Sequence, residues 1–181
     1  GACERCGGTV EKRDKEQWMI AITKYADRLI DDLYTVDYLP KIKKQQQDWI
    51  GRYEGARVRF ELKDADREVE VFTTRTDTLF GATYMVLAPE HELVHVLEEK
   101  IQNIDEVKAY VQTSAKKSEI DRTNDEKEKT GVELKGVVAI NPVNGKEMPV
   151  WVADYVLAGY GTGAIMAVPA DDERDRRFAE K

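Results

Sequence analysis

His91-Glu92-Leu93-Val94-His95 sets two imidazoles four residues apart with a glutamate beside the first. On a helix that spacing puts both rings on one face, where they can hold zinc while the glutamate polarises a metal-bound water. A hydrolytic zinc needs a third protein ligand, and the chain has no other histidine, so Glu119 is the available carboxylate. Helical phase offers a plainer account. Leu93, Val96, Leu97 and Ile101 gather on one side and His91, His95, Glu98 and Gln102 on the other, so the histidines occupy a solvated polar face. Cys3-x-x-Cys6 supplies half the ligands of a tetrahedral zinc site. The chain has no further cysteine, so the pair is either an incomplete zinc knuckle or two inert thiols. Thr73-Thr-Arg-Thr-Asp-Thr78 puts four threonines into six residues, which reads either as β propensity or as hydroxyls lining a small polar pocket. Gly159-Tyr-Gly-Thr-Gly163 fits no phosphate-binding loop and reads as a tight turn before a strand. Asp171-Asp-Glu-Arg-Asp175 is either an acid–base cluster or a helix N-terminus, where carboxylates offset the helix dipole.

The elements that must position these groups follow from periodicity. Residues 13–34 carry Trp18, Ile22, Tyr25, Leu29 and Leu33 at helical intervals, and Pro40 closes that stretch. Residues 56–62 and 67–72 alternate as strands joined by the four residues 63–66, and 82–87 forms another strand. Pro89 opens a helix over 90–101, and a second helix covers 104–115. Residues 116–130 are dense in charge and read as an exposed connection. Residues 137–143 and 146–153 flank Asn144-Gly145, a strong two-residue hairpin signal that sets Val138 opposite Trp151 and Ala139 opposite Val150. A last strand spans 164–168. The pattern predicts an α+β fold: a mixed, largely antiparallel, barrel-like β domain with inserted helices, behind a helical lead-in.

With 181 residues, 28 Lys plus Arg against 35 Asp plus Glu, and a formal charge of −7, the chain lacks the basic coat of a protein that covers nucleic acid. Any RNA contact is expected to be local. No apolar run reaches the ~20 residues of a membrane helix, and a cytoplasmic protein is expected.

Taken in order, several segments resemble the editing domain of bacterial-type leucyl-tRNA synthetases. Phe72-Thr-Thr-Arg-Thr-Asp-Thr-Leu-Phe-Gly81, with Ala82-Thr-Tyr and Ala88-Pro-Glu-His91, is similar to the family's threonine-rich peptide. Gly159-Tyr-Gly-Thr-Gly-Ala-Ile-Met-Ala-Val-Pro169 with Asp172-Glu-Arg-Asp175 resembles its second signature. Asp48-Trp-Ile-Gly51 with Glu54-Gly55 resembles the start of the inserted domain, and Glu16-Gln-Trp18 with Ile22-Thr-Lys-Tyr-Ala-Asp27 the synthetase segment before it. The resemblance implies a lead-in from the synthetase body over 1–47, comprising the half zinc knuckle and a helix. It implies an editing domain over 48–181 that is cut short at its C-terminus.

The implied activity is hydrolysis of the aminoacyl ester of leucine tRNA mischarged with norvaline, isoleucine or methionine. The implied partners are the acceptor end of that tRNA and the rest of the synthetase. Editing in the family uses no cofactor, while ATP and magnesium serve a synthesis site whose signatures this chain lacks, so amino-acid activation is not expected. By position, Thr73 and Thr74 match threonines near the scissile ester and Asp175 the aspartate that anchors the α-amino group. Thr78 matches the residue that excludes leucine, and Arg75 a residue that organises the loop. Leu157, Tyr160, Met166 and Val168 match the wall that receives side chain and adenosine, with Asp171 and Asp172 beside it. The sequence departs from the family at Asp171, where histidine is usual, at Thr76, where proline is usual, and at Arg176 and Arg177, where an aromatic and an acid are common. A catalytically silent module that only binds the tRNA acceptor end is one alternative function. A zinc hydrolase built on His91, Glu92 and His95 is another.

Overall fold

The computed structural model describes every residue except 1, 9, 11–14, 53, 125–127 and 160. The chain forms two compact units, one of Gly1–Lys12 with Gly55–Lys181 and one of Arg13–Glu54.

In the smaller unit the regular structure begins later than the apolar stripe predicts. A 3₁₀ turn over Ile22–Tyr25 leads into helix α1 (Ala26–Asp31), and Trp18 is fully exposed. Among the described residues of this unit only Leu33 is buried, so the stripe finds no surface there that would reward a longer helix. Helix α2 (Pro40–Ile50) corrects the expectation at Pro40, which opens a helix instead of only ending one. At the first helical position the missing N–H costs nothing and the fixed φ already suits the helix.

In the larger unit the 56–72 hairpin forms as its alternation predicts. Strands β1 (Ala56–Glu61) and β2 (Glu68–Thr73) pair antiparallel with Phe60 opposite Val69 and Val58 opposite Val71. Those residues face the core, and the outer face is laced by Arg57 and Arg59 reaching Glu70 at 2.7 and 3.4 Å. Strand β3 (Tyr84–Leu87) is buried on both faces: Met85 and Leu87 join the main core, while Tyr84 and Val86 join a second cluster. A central strand needs such a continuous apolar run. It lies between β5 and β6 in a four-stranded sheet of order β4-β5-β3-β6, where β4 is Gly131–Ile140, β5 is Glu147–Ala153 and β6 is Ala164–Ala167. The β3–β5 pair is parallel and the other pairs antiparallel. The architecture is therefore α+β with two sheets and no closed barrel among the described residues. A bridge between Leu62 and Ala139 links the hairpin to the larger sheet.

Three further expectations change. Helix α3 (Glu92–Val96) is short, followed by a 3₁₀ turn at Glu98–Lys100, because His91 is its extended N-cap and Glu90 is engaged elsewhere. Helix α4 (Ile104–Ala115) matches its prediction. The stretch 116–130 is more than an exposed connection: it holds helix α5 (Glu119–Thr123), whose Arg122 is buried. Finally, the β4–β5 register is offset by two residues, with Val138 opposite Pro149 and Ala139 opposite Met148. The turn closes at Asn141 and Lys146, so Pro142-Val-Asn-Gly145 forms a four-residue loop. Asn141 initiates it by accepting the Val143 N–H at 3.0 Å, Pro142 presets the next φ, and Gly145 (φ +70°) closes it. The Asn-Pro start overrides the Asn-Gly signal.

Candidate active site

Strand β2 ends at Thr73, and the chain leaves it in a hydroxyl-bonded turn. The Arg75 N–H donates to Thr73 Oγ1 at 3.0 Å, and the Thr78 hydroxyl donates to the Arg75 carbonyl at 2.9 Å. Threonine hydroxyls that bond nearby backbone stabilise turns in this way, so the run reflects loop chemistry more than β propensity. Arg75 grips Asp77 with two parallel bonds, Nε to Oδ1 at 2.9 Å and Nη2 to Oδ2 at 2.8 Å. The Asp77 carboxylate raises the Arg75 guanidinium pKa, with Asp171 adding in the same direction.

Beyond β6 the acidic run forms the start of helix α6 (Glu173–Ala179). Asp172 is its N-cap, accepting the N–H groups of Arg174 at 2.8 Å and Asp175 at 3.3 Å. Burial works against the Asp172 charge, but the Arg174 guanidinium and the two N–H donors hold its carboxyl below the usual range. Asp175 differs. It is 7% exposed and accepts the Val168 N–H at 2.8 Å. Burial pushes its carboxyl up to about 6, the Val168 bond opposing and the Asp172 charge adding to the rise.

Thr73, Arg75 and Thr78 from the first segment, and Met166, Val168, Asp171, Asp172 and Asp175 from the second, line one cavity of about 490 Å³. Leu157 lines it too, from the loop after β5. That volume suits a small organic group with a few placed polar contacts. Thr74 is exposed on the same turn and does not line the cavity. Tyr160 lies outside the described residues. A larger hollow of about 770 Å³ lies between the hairpin loop and α3, but exposed carboxylates dominate its wall and it gathers no hydroxyls.

Sequence reasoning missed the parts that hold this site from behind. The Tyr84 hydroxyl donates to the Asp175 carbonyl at 2.7 Å. Three residues on, Phe178 packs between Tyr84, Trp151 and Tyr155 at centroid distances of 5.5–5.7 Å, pinning α6 to the sheet. Val156, Thr123 and Arg174 also line the cavity. An aromatic three residues after the aspartate on a short helix was the available signal for Phe178. Nothing local marks Tyr84.

The other sequence candidates take structural places. His91 Nδ1 accepts the Leu93 N–H at 3.2 Å, and burial lowers its pKa, so it caps α3 as a neutral ring. His95 is exposed beside Glu98 at 3.6 Å. Among the described residues no three His, Cys, Asp or Glu side chains converge as a metal cage. Cys3 and Cys6 sit on a turn closed by the Gly7 N–H to the Cys3 carbonyl at 2.8 Å, and the backbone N–H groups of Arg5 and Cys6 lower the Cys3 thiol pKa.

With this geometry in place, a family profile described as the leucyl-tRNA synthetase editing domain matches residues 47–181. The chain belongs to the leucyl-tRNA synthetase editing-domain family. It is 52% identical over its full length to a leucine–tRNA ligase of Alkaliphilus oremlandii (strain OhILAs), of which it covers 22%. It also superposes on a crystal structure of the ternary complex of Agrobacterium radiobacter K84 agnB2 LeuRS, tRNA and LeuAMS. That match has a TM-score of 0.80 and 38% identity, over 99% of this chain and 22% of that one. The chain thus spans about a fifth of the length of the relatives it matches. The threonine-rich turn and the segment ending at Asp175, the two parts that carry the family resemblance, line one cavity. No helix of the described residues is long and apolar enough to cross a membrane.

Proposed function

We propose that this chain proofreads leucine tRNA, hydrolysing the ester that links a wrong amino acid to the terminal ribose. The observation that carries this reading is the shared cavity, whose wall brings together residues of the threonine turn, a buried aspartate and apolar side chains. In the proposed complex the substrate's α-ammonium group pairs with the Asp175 carboxylate. Its side chain lies along Leu157, Met166 and Val168, and Thr78 blocks a γ-branched chain.

Water attacks the ester carbonyl, the carbon–oxygen bond to the ribose breaks, and the ribose oxygen leaves as a hydroxyl with a proton from the attacking water. The Thr73 hydroxyl, which lines the cavity, orients that water and bonds the developing oxyanion. The reaction as proposed uses the tRNA's own ribose hydroxyl and no metal. The need for a second site is physical, since one methylene gives a synthesis pocket only ~1–3 kcal/mol of discrimination.

The test is deacylation of isoleucyl-tRNA(Leu) beside leucyl-tRNA(Leu), each with and without a chelator. Hydrolysis of the mischarged species alone, indifferent to chelation, supports the proposal. Binding of the acceptor end without turnover selects the silent-module reading, which the carboxylate of Asp171 in the cavity wall favours by repelling phosphate. Loss of activity on chelation would revive a metal hydrolase.

A further inference from the structure

Arg122 is buried in a region whose sequence reads as solvent-exposed. Its side chain is 4% exposed, and its guanidinium joins three parts of the fold. Nη1 and Nη2 donate to the two Glu90 carboxylate oxygens at 2.6 and 3.2 Å, just after β3. Nε donates to the Asp154 carbonyl at 2.6 Å and Nη2 to the Val156 carbonyl at 2.8 Å, in the loop after β5. The planar guanidinium makes these four bonds from fixed donors, one more than the three N–H groups of an ammonium can supply, and it holds the carboxylate bidentately.

We infer that Arg122 is a specificity-positioning residue: by holding the Val156 carbonyl it fixes how far Val156 and Leu157 project into the cavity facing Thr78. This rests on the proofreading reading of that cavity. Asp154 is secured independently of Arg122, since its N–H donates to the Tyr110 hydroxyl at 3.1 Å and its carboxylate pairs with Lys117. Among the described residues the Arg122 guanidinium is the side chain that bonds the Val156 carbonyl, and Val156 and Leu157 form the next part of the cavity wall. Thr123, adjacent to Arg122, lines the same cavity, so α5 carries both the clamp and a piece of wall. Freed from the clamp, the loop can retreat and give a branched side chain the room that Thr78 denies it. The reacting groups at Thr73 and Asp175 lie on other segments and keep their own bonds.

The experiment compares the 181-residue chain with Arg122→Met and Arg122→Lys on isoleucyl- and leucyl-tRNA(Leu). Amide exchange is followed over 153–158, and thermal melting checks that each variant folds. In Arg122→Met, exchange over 153–158 is expected to rise at least ~10-fold and the preference for the mischarged ester to fall ~10-fold, chiefly through faster hydrolysis of leucyl-tRNA. Millimolar guanidinium, filling the vacated site, should restore the preference, which it cannot do for a protein that is merely unfolded. Arg122→Lys, which keeps the charge but not the fork, should fall between the two.

Unchanged exchange or unchanged preference in a folded Arg122→Met overturns the inference. If Arg122→Met does not fold, the inference stands or falls on whether Arg122→Lys loses preference. A wild-type chain inert on both esters overturns the proofreading reading, and the inference with it. That failure is read from the wild type alone, so the two are distinguishable.

Discussion

Asp172, which caps α6, and Asp175, in its first turn, do opposite things. Asp172 is held charged by the Arg174 guanidinium and its cap bonds, whereas Asp175 is buried with one N–H donor and sits up at about 6. A carboxyl whose folded pKa lies above its unfolded value binds more protons when folded between those two values. Stability therefore falls as pH rises from ~4 to about 6 and stays reduced above it. Asp175→Asn removes that penalty and can still accept the Val168 N–H, so it should stabilise the chain by up to about 3 kcal/mol at pH 7.5. The gain should vanish near pH 4, as thermal melts at the two pH values will read. In the proposed reaction deacylation needs the carboxylate, so the wild-type rate should climb through pH 6, and Asp175→Ala should lose ~100-fold at pH 7.5. Retained full activity in that variant removes Asp175 from the site. In the proposed reading Thr78, which lines the cavity, acts by shape. Replacing it with alanine should raise hydrolysis of leucyl-tRNA(Leu) by ~10–100-fold, the scale of one or two carbon groups in a pocket. If leucyl-tRNA stays untouched, the discriminator lies elsewhere in the wall.

At the scale of elements, the glycine-rich loop before β6 shows how a structural requirement can mimic a chemical motif. Gly163 has φ +72°, its carbonyl accepts the Ala88 N–H at 2.8 Å, and an added Cβ would lie 3.3 Å from Ala158 Cα and 3.4 Å from His91 Cδ2. The loop therefore turns against the residue that caps α3, which gives both the glycine and His91 a place without metal or phosphate. Gly163→Ala should cost ~1–2 kcal/mol in backbone strain, a fall in Tm of roughly 3–8 °C. A wild-type Tm in that variant would mean the loop relaxes freely. What was legible here depended on distance along the chain. The 56–72 hairpin, β3, α4 and β6 follow from local alternation or phase, because their burial is set by residues two to four apart. The β4–β5 register was not legible, because Asn144-Gly145 and Asn141-Pro142 each start a good turn and only the sheet decides between them. Arg122 and Tyr84 were invisible for a stronger reason: their partners, Val156 and Asp175, lie far along the chain. The site's two walls were recognised through the family resemblance, since no periodicity joins Thr78 to Asp175.

At the scale of the molecule, the formal charge of −7 sets a limit on how this chain can meet RNA. A surface that binds along a duplex releases many counterions and loses affinity steeply with salt. The cavity wall itself is mixed, with Arg75 and Arg174 among Asp171, Asp172 and Asp175, so long-range attraction gains little there. In the proposed complex, recognition confined to the acceptor end rests on the α-ammonium group, the terminal adenosine and only a few phosphates. On single-stranded RNA a few contacts give a log–log salt slope no steeper than about −2. Asp171 is the residue placed to alter this balance, exposed at the cavity and close enough to bear on the Arg75 guanidinium. Asp171→His should tighten binding of an aminoacylated acceptor-end minihelix ~2–5-fold at 50 mM salt, as expected for one exposed charge. The gain should shrink at 300 mM, where the Debye length falls to roughly half its low-salt reach. Fluorescence anisotropy across that range measures both quantities. A wild-type slope much steeper than −2 would place a broad RNA-binding face outside the cavity. A gain in Asp171→His that survives high salt would mean the imidazole makes a direct hydrogen bond to the RNA instead of merely relieving repulsion.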